Sequence, residues 1–423
     1  MKCLLIGFLL LSASSLFAEV PPAGVLSITL DEAVSLAVRD NAELTSLRAK
    51  WEAMQERTTQ AGALPNPMLI YSGMDMASGG VWPDTSEKRL MLQQEFPWLG
   101  KRGLREGIAV KDAEVMQREL EAMTREVVMR VKEIYFQLYA LQQAVVTTRK
   151  DEEVLKRMAK IAETMYSTGE RTQQDVLKAK TEITMLKQHL LELDAQEMTL
   201  NAKLNTFLNR RVDAPLGAAV MPPETGLAGN LATLLALAAA NRPEVLAAQA
   251  QIERYELEGK LMAKESLPDY KLGLEYRDIG ASDDMVMFTI GIDLPIWRAK
   301  YRAGVREAEK MKASSLAARE AAERQSSLDV QDAAFRLLTA RRSLDLYRTE
   351  LIPQAEARFK ASEAGYRTGK VDFMDLLESQ RFLLSVRVMA AMAGGDAGME
   401  FARLERAVGA EWISNVNVRE MSP

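Results

Sequence analysis

The sequence predicts a mainly α-helical protein with a membrane-inserted β part and an internal tandem duplication. Three observations support this prediction. Motifs recur in the same order in the two halves of the chain, heptad-like apolar patterns run through long segments, and four short stretches alternate apolar with polar residues. Each half is predicted to contain a helix, two strands, a long helix, a glycine-marked turn and another long helix. We place the two copies at 19–215 and 216–423.

The duplication is indicated by paired motifs whose order is preserved. In each copy a tyrosine precedes a glycine by the same spacing, and an aspartate follows that glycine. An asparagine stands before a helical pattern in both copies, and each is predicted to open a helix. The pairs are Asn41 with Asn241, Leu64 with Leu267, Glu95 with Asp293, Tyr166 with Tyr366, Gly169 with Gly369, and Asp175 with Asp375.

Residues 1–18 have the pattern of a secretory signal peptide. Lys2 supplies a positive charge, an apolar run covers 4–11, and Ala18 is a small residue at the expected cleavage point. Cys3 precedes the apolar run, so it does not fit a lipid-attachment cysteine. No later stretch reaches about 18 consecutive apolar residues, so no transmembrane helix is expected. Membrane insertion is therefore predicted to occur through a β-barrel, because only helices and closed barrels satisfy their backbones in lipid.

Composition and residue counts exclude several functions. The chain is 48% hydrophobic and 27% charged, with a net charge of −5, so no basic surface for nucleic acid is indicated. It contains one cysteine, Cys3, and one histidine, His189. A metal site built from His and Cys, or a histidine-based catalytic triad, is not available within one chain. We expect no enzymatic activity, no cofactor and no metal site, and we expect His189 at the surface.

Four strands are predicted from alternation: Pro67–Met76, Glu87–Phe96, Tyr270–Arg277 and Met285–Leu294. In the last of these, Phe288 and Ile290 share a face and Thr289 lies on the other. Apolar-out, polar-in strands of about 10 residues are typical of membrane barrels, although a soluble hairpin is the alternative. Four strands are too few to close a barrel, since the known minimum is about eight. The strands therefore predict a cyclic oligomer.

The long helices are predicted from coiled-coil spacing. Apolar residues step by four and three from Val127 to Val145 and again from Val176 to Phe207. The helix predicted over Lys101–Thr168 would be about 100 Å long, which requires it to project from the rest of the fold. In the second copy the seam is weaker and lies around Leu337, Leu344 and Leu351.

These motifs resemble those of the TolC family of outer-membrane efflux proteins over nearly the whole mature chain. The resemblance is found in the duplication, in the strand pairs and in the two turns marked by Gly169 and Gly369. It is also found where the second strand enters the long helix. That strand-to-helix motif is similar to the CzcC/CusC heavy-metal branch of the family, and it contains Phe96, Pro97, Trp98, Gly100, Lys101 and Arg102.

The resemblance implies an outer-membrane channel of a Gram-negative bacterium with a large periplasmic part. Three protomers would build a twelve-stranded barrel on a helical coiled-coil barrel that tapers to a closed tip. The implied partners are outer-membrane lipid, a periplasmic adaptor protein and an inner-membrane pump of the resistance-nodulation-division type. Heavy-metal cations are the expected cargo. Efflux of drugs or organic solutes and type I secretion are the alternatives, and a structural coiled-coil envelope protein is the alternative of another class.

The resemblance also implies a periplasmic gate. Asp375 and Glu378 match the acids that ring the closed aperture, and Asp175 matches the acid of the other hairpin. Tyr366 matches a tyrosine that latches the coils shut. The family's latch arginine falls at Val371, so the resemblance does not imply that bond here, and Arg367 and Arg171 are the candidates to substitute for it. The alternative for the acids is an ordinary solvated helix start, where carboxylates suit the helix dipole.

Methionine is abundant, with 23 in the chain. Met68, Met74 and Met76 share one strand face, and Met285 and Met287 share another. Two interpretations are open. Methionine can replace leucine as flexible apolar filler, which the sequence alone favours. Alternatively, the thioethers can provide soft ligands for Cu(I) or Ag(I) in a channel lumen.

Overall fold

A computed structural model of the protein describes residues 28–76, 85–222, 230–279 and 283–410. The predicted signal peptide lies outside the described residues. The first copy contains α1 (Leu30–Asp40), α2 (Ala42–Gly62), β1 (Met68–Met76), β2 (Thr85–Phe96), α3 (Lys101–Ser167) and α4 (Gln173–Phe207). The second contains α5 (Leu231–Asn241), α6 (Pro243–Lys264), β3 (Tyr270–Asp278), β4 (Met285–Ile292), α7 (Arg298–Leu346), a π-helical turn (Tyr347–Leu351), α8 (Ile352–Arg367) and α9 (Phe373–Val408).

The four strands form one antiparallel sheet in the order β1-β2-β3-β4. The central pair, β2 with β3, joins the two copies, with Leu92 opposite Leu274. Among the described strands, β1 pairs with β2 alone and β4 with β3 alone, so β1 and β4 are the edges of the sheet within one chain. The predicted strands are confirmed, with ends that shift by at most two residues.

The two faces of the sheet differ in chemistry as the alternation predicts. On the outer face the register aligns apolar side chains across all four strands, and many are exposed. Two such rows contain Leu69, Leu92, Leu274 and Phe288, and Tyr71, Leu90, Tyr276 and Val286. The inner face contains an ion-pair chain that joins Arg89 to Glu87, Glu87 to Arg277, and Arg277 to Glu275. An apolar outer face and a polar inner face are the pattern of a sheet between lipid and water.

The helices form two long hairpins that extend away from the sheet. Helix α3 has 67 residues and is about 100 Å long. It packs against α2 and α4 of its own copy and against α6 and α9 of the other. Apolar side chains fill the seam at two main levels, one around the buried Tyr135 and one at the far end around Tyr366 and Phe373. The predicted projecting coiled coil is confirmed.

The two copies differ at their first helices. Asn41 opens α2 as predicted, because its side-chain oxygen accepts hydrogen bonds from the backbone N–H groups of Glu43 and Leu44. The same prediction is wrong for Asn241, which is the last residue of α5. Pro243 occupies the first turn of α6, and the residue before a proline is driven out of the helical region. Arg242 therefore takes the cap position with an extended backbone.

The long helix of the second copy is interrupted, unlike α3. A π-helical turn at Tyr347–Leu351 separates α7 from α8. Pro353 lies just after this turn. Proline has no N–H to donate, and its ring clashes with the carbonyl four residues earlier. A π turn is one way for a helix to absorb such a break and continue.

Helix α9 is apolar enough to resemble a membrane-spanning helix, although the sequence analysis predicts none. By length and composition, α9 could cross a membrane, as could the bent pair of α5 and α6. In the structure α9 lies against α3, α7 and α8. Its apolar residues therefore fill the coiled-coil core. A helix buried in a core can be as long and as apolar as one that spans a membrane.

Helices α3 and α9 approach each other closely at two glycines. A Cβ added at Gly395 would lie 2.6 Å from the Ala140 Cβ and 2.9 Å from the Phe136 carbonyl oxygen. A Cβ at Gly398 would lie 2.4 Å from the Phe136 ring. Backbone and ring atoms at this distance cannot move aside without shifting a whole helix. The absence of side chains at these positions therefore sets the spacing between the two hairpins.

Gly395→Ala is expected to destabilise the protein by about 1–3 kcal/mol, because the new methyl group overpacks the α3–α9 contact. The matched control is Gly103→Ala in α3, where an added Cβ meets nothing within 4 Å. The control should be neutral or gain up to about 1 kcal/mol from helix propensity. Thermal unfolding followed by circular dichroism in detergent measures both. Equal melting temperatures for the two variants would contradict the close approach.

Candidate functional site

The two hairpin turns have the same backbone structure. Gly169 and Gly369 both have positive φ, 78° and 75°, which favours glycine. The Gly169 N–H donates to the Tyr166 carbonyl at 3.0 Å, and the Gly369 N–H donates to the Tyr366 carbonyl at 3.1 Å. The sequence motif predicted both turns, and each ends a long helix at the end of the hairpin farthest from the sheet.

Side-chain contacts connect the two turns within one protomer. Tyr366 is buried, and its hydroxyl donates to Asp175 Oδ2 at 3.3 Å. The guanidinium of Arg171 lies 4.9 Å from the centre of the Tyr366 ring and donates to the Val371 carbonyl at 3.0 Å. Burial, followed by the charge of Asp175, raises the pKa of Tyr366 to about 12, so its hydroxyl remains a donor at neutral pH.

The two candidate arginines make different contacts. Arg171 reaches from the first hairpin to the second, whereas Arg367 pairs with Glu363 on its own helix at 2.7 Å. Val371 packs over its own turn, because a Cβ added at Gly365 would lie 2.3 Å from the Val371 Cγ2. Of the two candidates, Arg171 therefore contacts the other hairpin, and the side chain of Val371 fills its own turn.

The three predicted gate acids lie in different environments. Asp375 is exposed in the first turn of α9. Glu378, one turn later, has a side chain that is 68% exposed, and it pairs with Arg358 of α8 at 2.8 Å. Asp175 is buried and bonded to Tyr366. Asp375 and Glu378 are thus both exposed, Glu378 is paired with Arg358, and Asp175 takes part in the contact between the two turns.

A buried carboxyl group lies higher in the coil, between α3 and α9. Asp151 is 5% exposed and accepts a hydrogen bond from the buried Gln380 amide, while its Oδ2 has no hydrogen-bond partner among the described residues. Burial raises the pKa of Asp151 to about 6, against the opposing effects of Gln380 and Arg387. The carboxylate of Glu182 adds to the increase in pKa. Glu182 itself forms an ion pair with Arg381 between α4 and α9.

The strand-to-helix motif forms a junction between the two copies. Lys101 is 1% exposed, and its ammonium donates to both oxygens of Asp269 at 2.9 and 3.0 Å and to the Leu267 carbonyl at 3.0 Å. Glu265 lies 3.3 Å from the same ammonium. All three partners lie in the connection between α6 and β3 of the second copy. The buried ammonium of Lys101, from the first copy, therefore binds this connection.

The other residues of the motif shape this corner. Phe96 ends β2, and Pro97 and Trp98 follow it. The Trp98 ring stacks on Tyr270 with 5.5 Å between ring centres. Gly100 has a positive φ of 87°, and a Cβ there would lie 2.4 Å from the Lys264 ammonium. Arg102 donates to the Gly62 carbonyl through two nitrogens, at 2.9 and 2.6 Å, which ties α3 to the end of α2.

Sequence reasoning missed the partners in both polar clusters. Asp269 and Glu265 are not among the predicted site residues, although a carboxylate next to the first residue of a strand is a signal for a role at the junction. Asp151 and Gln380 are 229 residues apart and have no local signal. Among the described residues no group of three His, Cys, Asp or Glu side chains could hold a metal ion. His189 is half exposed and lies 3.6 Å from Glu192.

Comparisons with known proteins identify the family to which this fold belongs. The profile of the family described as "Outer membrane efflux protein" matches residues 33–210 and 234–410, once for each copy. The chain belongs to the outer membrane efflux protein family. Channels of this family lie in the outer membrane with a large periplasmic part, and the predicted duplicated fold is confirmed. The chain is therefore an outer-membrane efflux channel protein of the TolC type.

Two sequence relatives and one solved structure illustrate the likeness. The chain is 25% identical to the cobalt-zinc-cadmium resistance protein CzcC of Cupriavidus metallidurans over 94% of each chain. It is 22% identical to the pyoverdine export outer membrane protein OpmQ of Pseudomonas putida, over 92% of this chain and 87% of the relative. The transmembrane channel CusC has a similar fold, with a TM-score of 0.78, 16% identity, and coverage of 93% and 96%. The predicted resemblance to the CzcC/CusC branch is confirmed.

Lys101→Ala is expected to cost about 3–5 kcal/mol, because it leaves the carboxylates of Asp269 and Glu265 without their buried cation. The double variant Lys101→Met with Asp269→Asn removes both charges and should recover part of this loss. Thermal unfolding in detergent measures the three proteins. A single Lys101 variant as stable as the wild type would contradict the proposed role of the junction.

Asp151→Asn is expected to stabilise the protein near pH 7.5 by roughly 2–3 kcal/mol, since about two pKa units separate the folded and unfolded values. The raised pKa means that the neutral carboxyl stabilises the fold fully below about pH 4 and that this contribution is lost as the pH rises through about 6. The advantage of the variant should therefore disappear near pH 4. Asp194→Asn, at a half-exposed position, is the control and should gain nothing at pH 7.5. A gain of equal size for both variants would contradict the assignment.

Proposed function

We propose that three copies of this chain close a twelve-stranded barrel and form a passive duct for metal cations expelled by an inner-membrane pump. The observation that supports this most strongly is the four-stranded sheet, whose outer face is apolar and whose edges, β1 and β4, each pair on one side alone among the described strands. Open edges are not stable in lipid, so each edge needs a strand of another copy. Three copies of four strands give a number within the known range of membrane barrels.

The metal cargo is supported by sequence likeness to a resistance protein. The printed name of CzcC refers to cobalt, zinc and cadmium, and the likeness to CzcC extends over nearly the whole chain. OpmQ is named for pyoverdine export, so an organic cargo is the second candidate function. Fold alone does not decide between them, because one fold serves many cargoes. The partners that fit either function are a periplasmic adaptor and an inner-membrane pump, with the resistance-nodulation-division type proposed for metal cations.

We further propose that the two hairpin turns form the periplasmic gate. The latch of Arg171, Tyr366 and Asp175 would hold the hairpins together in the closed state. Asp375 and Glu378 would line the aperture, because both are exposed at the end of the fold farthest from the sheet. A ring of carboxylates from three copies attracts cations and selects for them. Since Glu378 already pairs with Arg358, Asp375 should contribute more than Glu378 to the electrostatic attraction of cations at the aperture.

The gate proposal is tested by Asp375→Asn combined with Glu378→Gln, which removes charge and keeps size. In planar bilayer recordings the double variant should lose cation preference and lose block by divalent cations added on the periplasmic side. Asp375→Asn alone should have a larger effect than Glu378→Gln alone. Unchanged block and selectivity in the double variant would place the constriction elsewhere, and absence of any conductance in the wild type would contradict the channel itself.

The barrel proposal is tested by two arginine substitutions at adjacent positions of β4. Ile290 lies on the outer face opposite Leu272, and Thr289 lies on the inner face opposite Gly273. Ile290→Arg should cost roughly 2–4 kcal/mol near the middle of the bilayer and reduce the amount of assembled protein in outer membranes. Thr289→Arg should assemble normally, because its charge would face water. Similar yields for both variants would mean that the assigned faces are wrong.

A further inference from the structure

The helices next to the sheet stand in the same order as the strands. Helix α3 packs against α2 on one side and α6 on the other, and α7 packs against α6. Near the sheet, α2 and α7 are therefore the outer members of the row, as β1 and β4 are the edges of the sheet. Each of these two helices has a side that the described helices of the same chain leave exposed.

The exposed side of α7 is basic. Gly304 and Ala308 lie against α6. On the opposite side of the helix, three exposed cations follow one another at intervals of one turn, and they are Arg302, Arg306 and Lys310. None of the three forms an ion pair with any residue that the structure describes. We call this surface the α7 face. Like charges one turn apart destabilise a helix, so the α7 face favours an anionic partner.

The exposed side of α2 is acidic. Trp51, Met54 and Thr58 are half-buried and mark the side of the helix that packs against α3. On the opposite side, Glu52 and Glu56 are exposed and one turn apart. Their carboxylates form no ion pair within the described ranges of the chain. We call this surface the α2 face.

The contact between the two copies within one chain provides a template for a contact between chains. There α3 of the first copy packs against α6 of the second, and the contact contains pairs of opposite charge. Lys111 pairs with Glu253 at 2.6 Å, and Arg254 pairs with Asp112 at 2.7 Å. By the duplication, α7 is the counterpart of α3, and α2 is the counterpart of α6. In a closed barrel, α7 of one chain would meet α2 of the next in the same way.

The duplication also aligns individual residues of the two contacts. Counted from the first residue of each helix, Glu52 holds the same position in α2 as Glu253 holds in α6. When the two copies are aligned on the motif pairs that flank the long helices, Lys310 falls in the place of Lys111 to within one residue. The ion pair of Lys111 with Glu253 within the chain therefore corresponds to Lys310 of one chain with Glu52 of the next.

A second pair follows one turn closer to the sheet. In the contact within the chain, a Cβ added at Gly107 would lie 3.3 Å from the Leu257 Cδ1. The same alignment puts Arg306 in the place of Gly107 and Glu56 in the place of Leu257. Since α2 runs towards the sheet and α7 runs away from it, one turn back along α7 matches one turn forward along α2. The contact between chains would thus have an ion pair where the contact within the chain is apolar.

We propose that the α7 face of each protomer docks on the α2 face of the next copy of this chain, with Lys310 opposite Glu52 and Arg306 opposite Glu56. The inference rests on the proposed channel, because a closed ring of copies is what brings α7 against α2. It also gives the contact a direction. Two α7 faces repel each other, as do two α2 faces, so the charges favour a head-to-tail ring over a two-fold dimer.

Crosslinking of the full chain tests the contact itself. The background is Cys3→Ser, which leaves no other cysteine. Glu56→Cys combined with Arg306→Cys should give covalent dimers and trimers on a denaturing gel after treatment with a short bis-maleimide. The matched control combines Arg306→Cys with Arg57→Cys. Arg57 is also exposed but is turned by about 100° around α2 from Glu56, so this pair should leave mainly monomer.

Charge reversal tests the pairing. Glu52→Lys with Glu56→Lys puts cations against the α7 face and should raise the protein concentration at which half of the trimer dissociates by roughly tenfold. Adding Arg306→Glu and Lys310→Glu to the same chain restores opposite charges and should recover the trimer. Arg57→Glu, beside the α2 face, is the control and should leave assembly unchanged. Native mass spectrometry of the detergent-extracted proteins over a dilution series measures all of them.

The outcomes separate this interface from the channel. A protein that is trimeric by native mass spectrometry but does not crosslink through the Glu56 and Arg306 positions would overturn the interface and leave the channel standing. A fourfold variant that dissociates as readily as the variant with both glutamates reversed would overturn the charge pairing. A wild type that is monomeric at every concentration would overturn the proposed function, and the interface with it.

Discussion

Hydrogen bonding at the sheet edges constrains every other part of this structure. In lipid, the N–H and C=O groups of β1 and β4 that face away from the sheet find no water, and each unsatisfied group costs several kcal/mol. One chain cannot satisfy both edges, because its four strands are too few to curl into a closed barrel. The apolar outer face favours insertion of the sheet into lipid, and its unpaired edges require strands from further copies.

The sheet fixes where the long helices begin. Each strand pair is followed by a long helix, α3 after β2 and α7 after β4. The junction around Lys101 joins the start of α3 to the connection between α6 and β3. Beyond the junction the glycines of α9 set the spacing of the hairpins, and the contacts of Arg171 and Tyr366 join the two turns at the far end. The buried Asp151 lies between these levels, where it accepts a hydrogen bond from Gln380 of α9. The sheet at one end and the hairpin turns at the other are thus connected by α3 in the first copy, and by α7, the π-helical turn and α8 in the second.

Features that depend on local periodicity could be predicted from the sequence. Alternation located the strands, and the predicted helix from Lys101 agrees with the structure to within one residue at its end. Asn241 was misassigned because a proline two residues later outweighs the cap preference of asparagine. Features that depend on long-range pairing could not be predicted. The ion pair of Glu378 with Arg358 needs the packing of α8 on α9. The common row of Met91 and Met287 needs the register between β2, β3 and β4.

The number of copies in the assembly tests the central claim most directly. Native mass spectrometry of the detergent-extracted protein measures it without any substitution. The account predicts one species with the mass of three mature chains, together with β-sheet content that is lost when the trimer dissociates, because the edge strands complete one another. A stable monomer that keeps its full β-sheet content would contradict the account, since its sheet edges would then be satisfied without a partner.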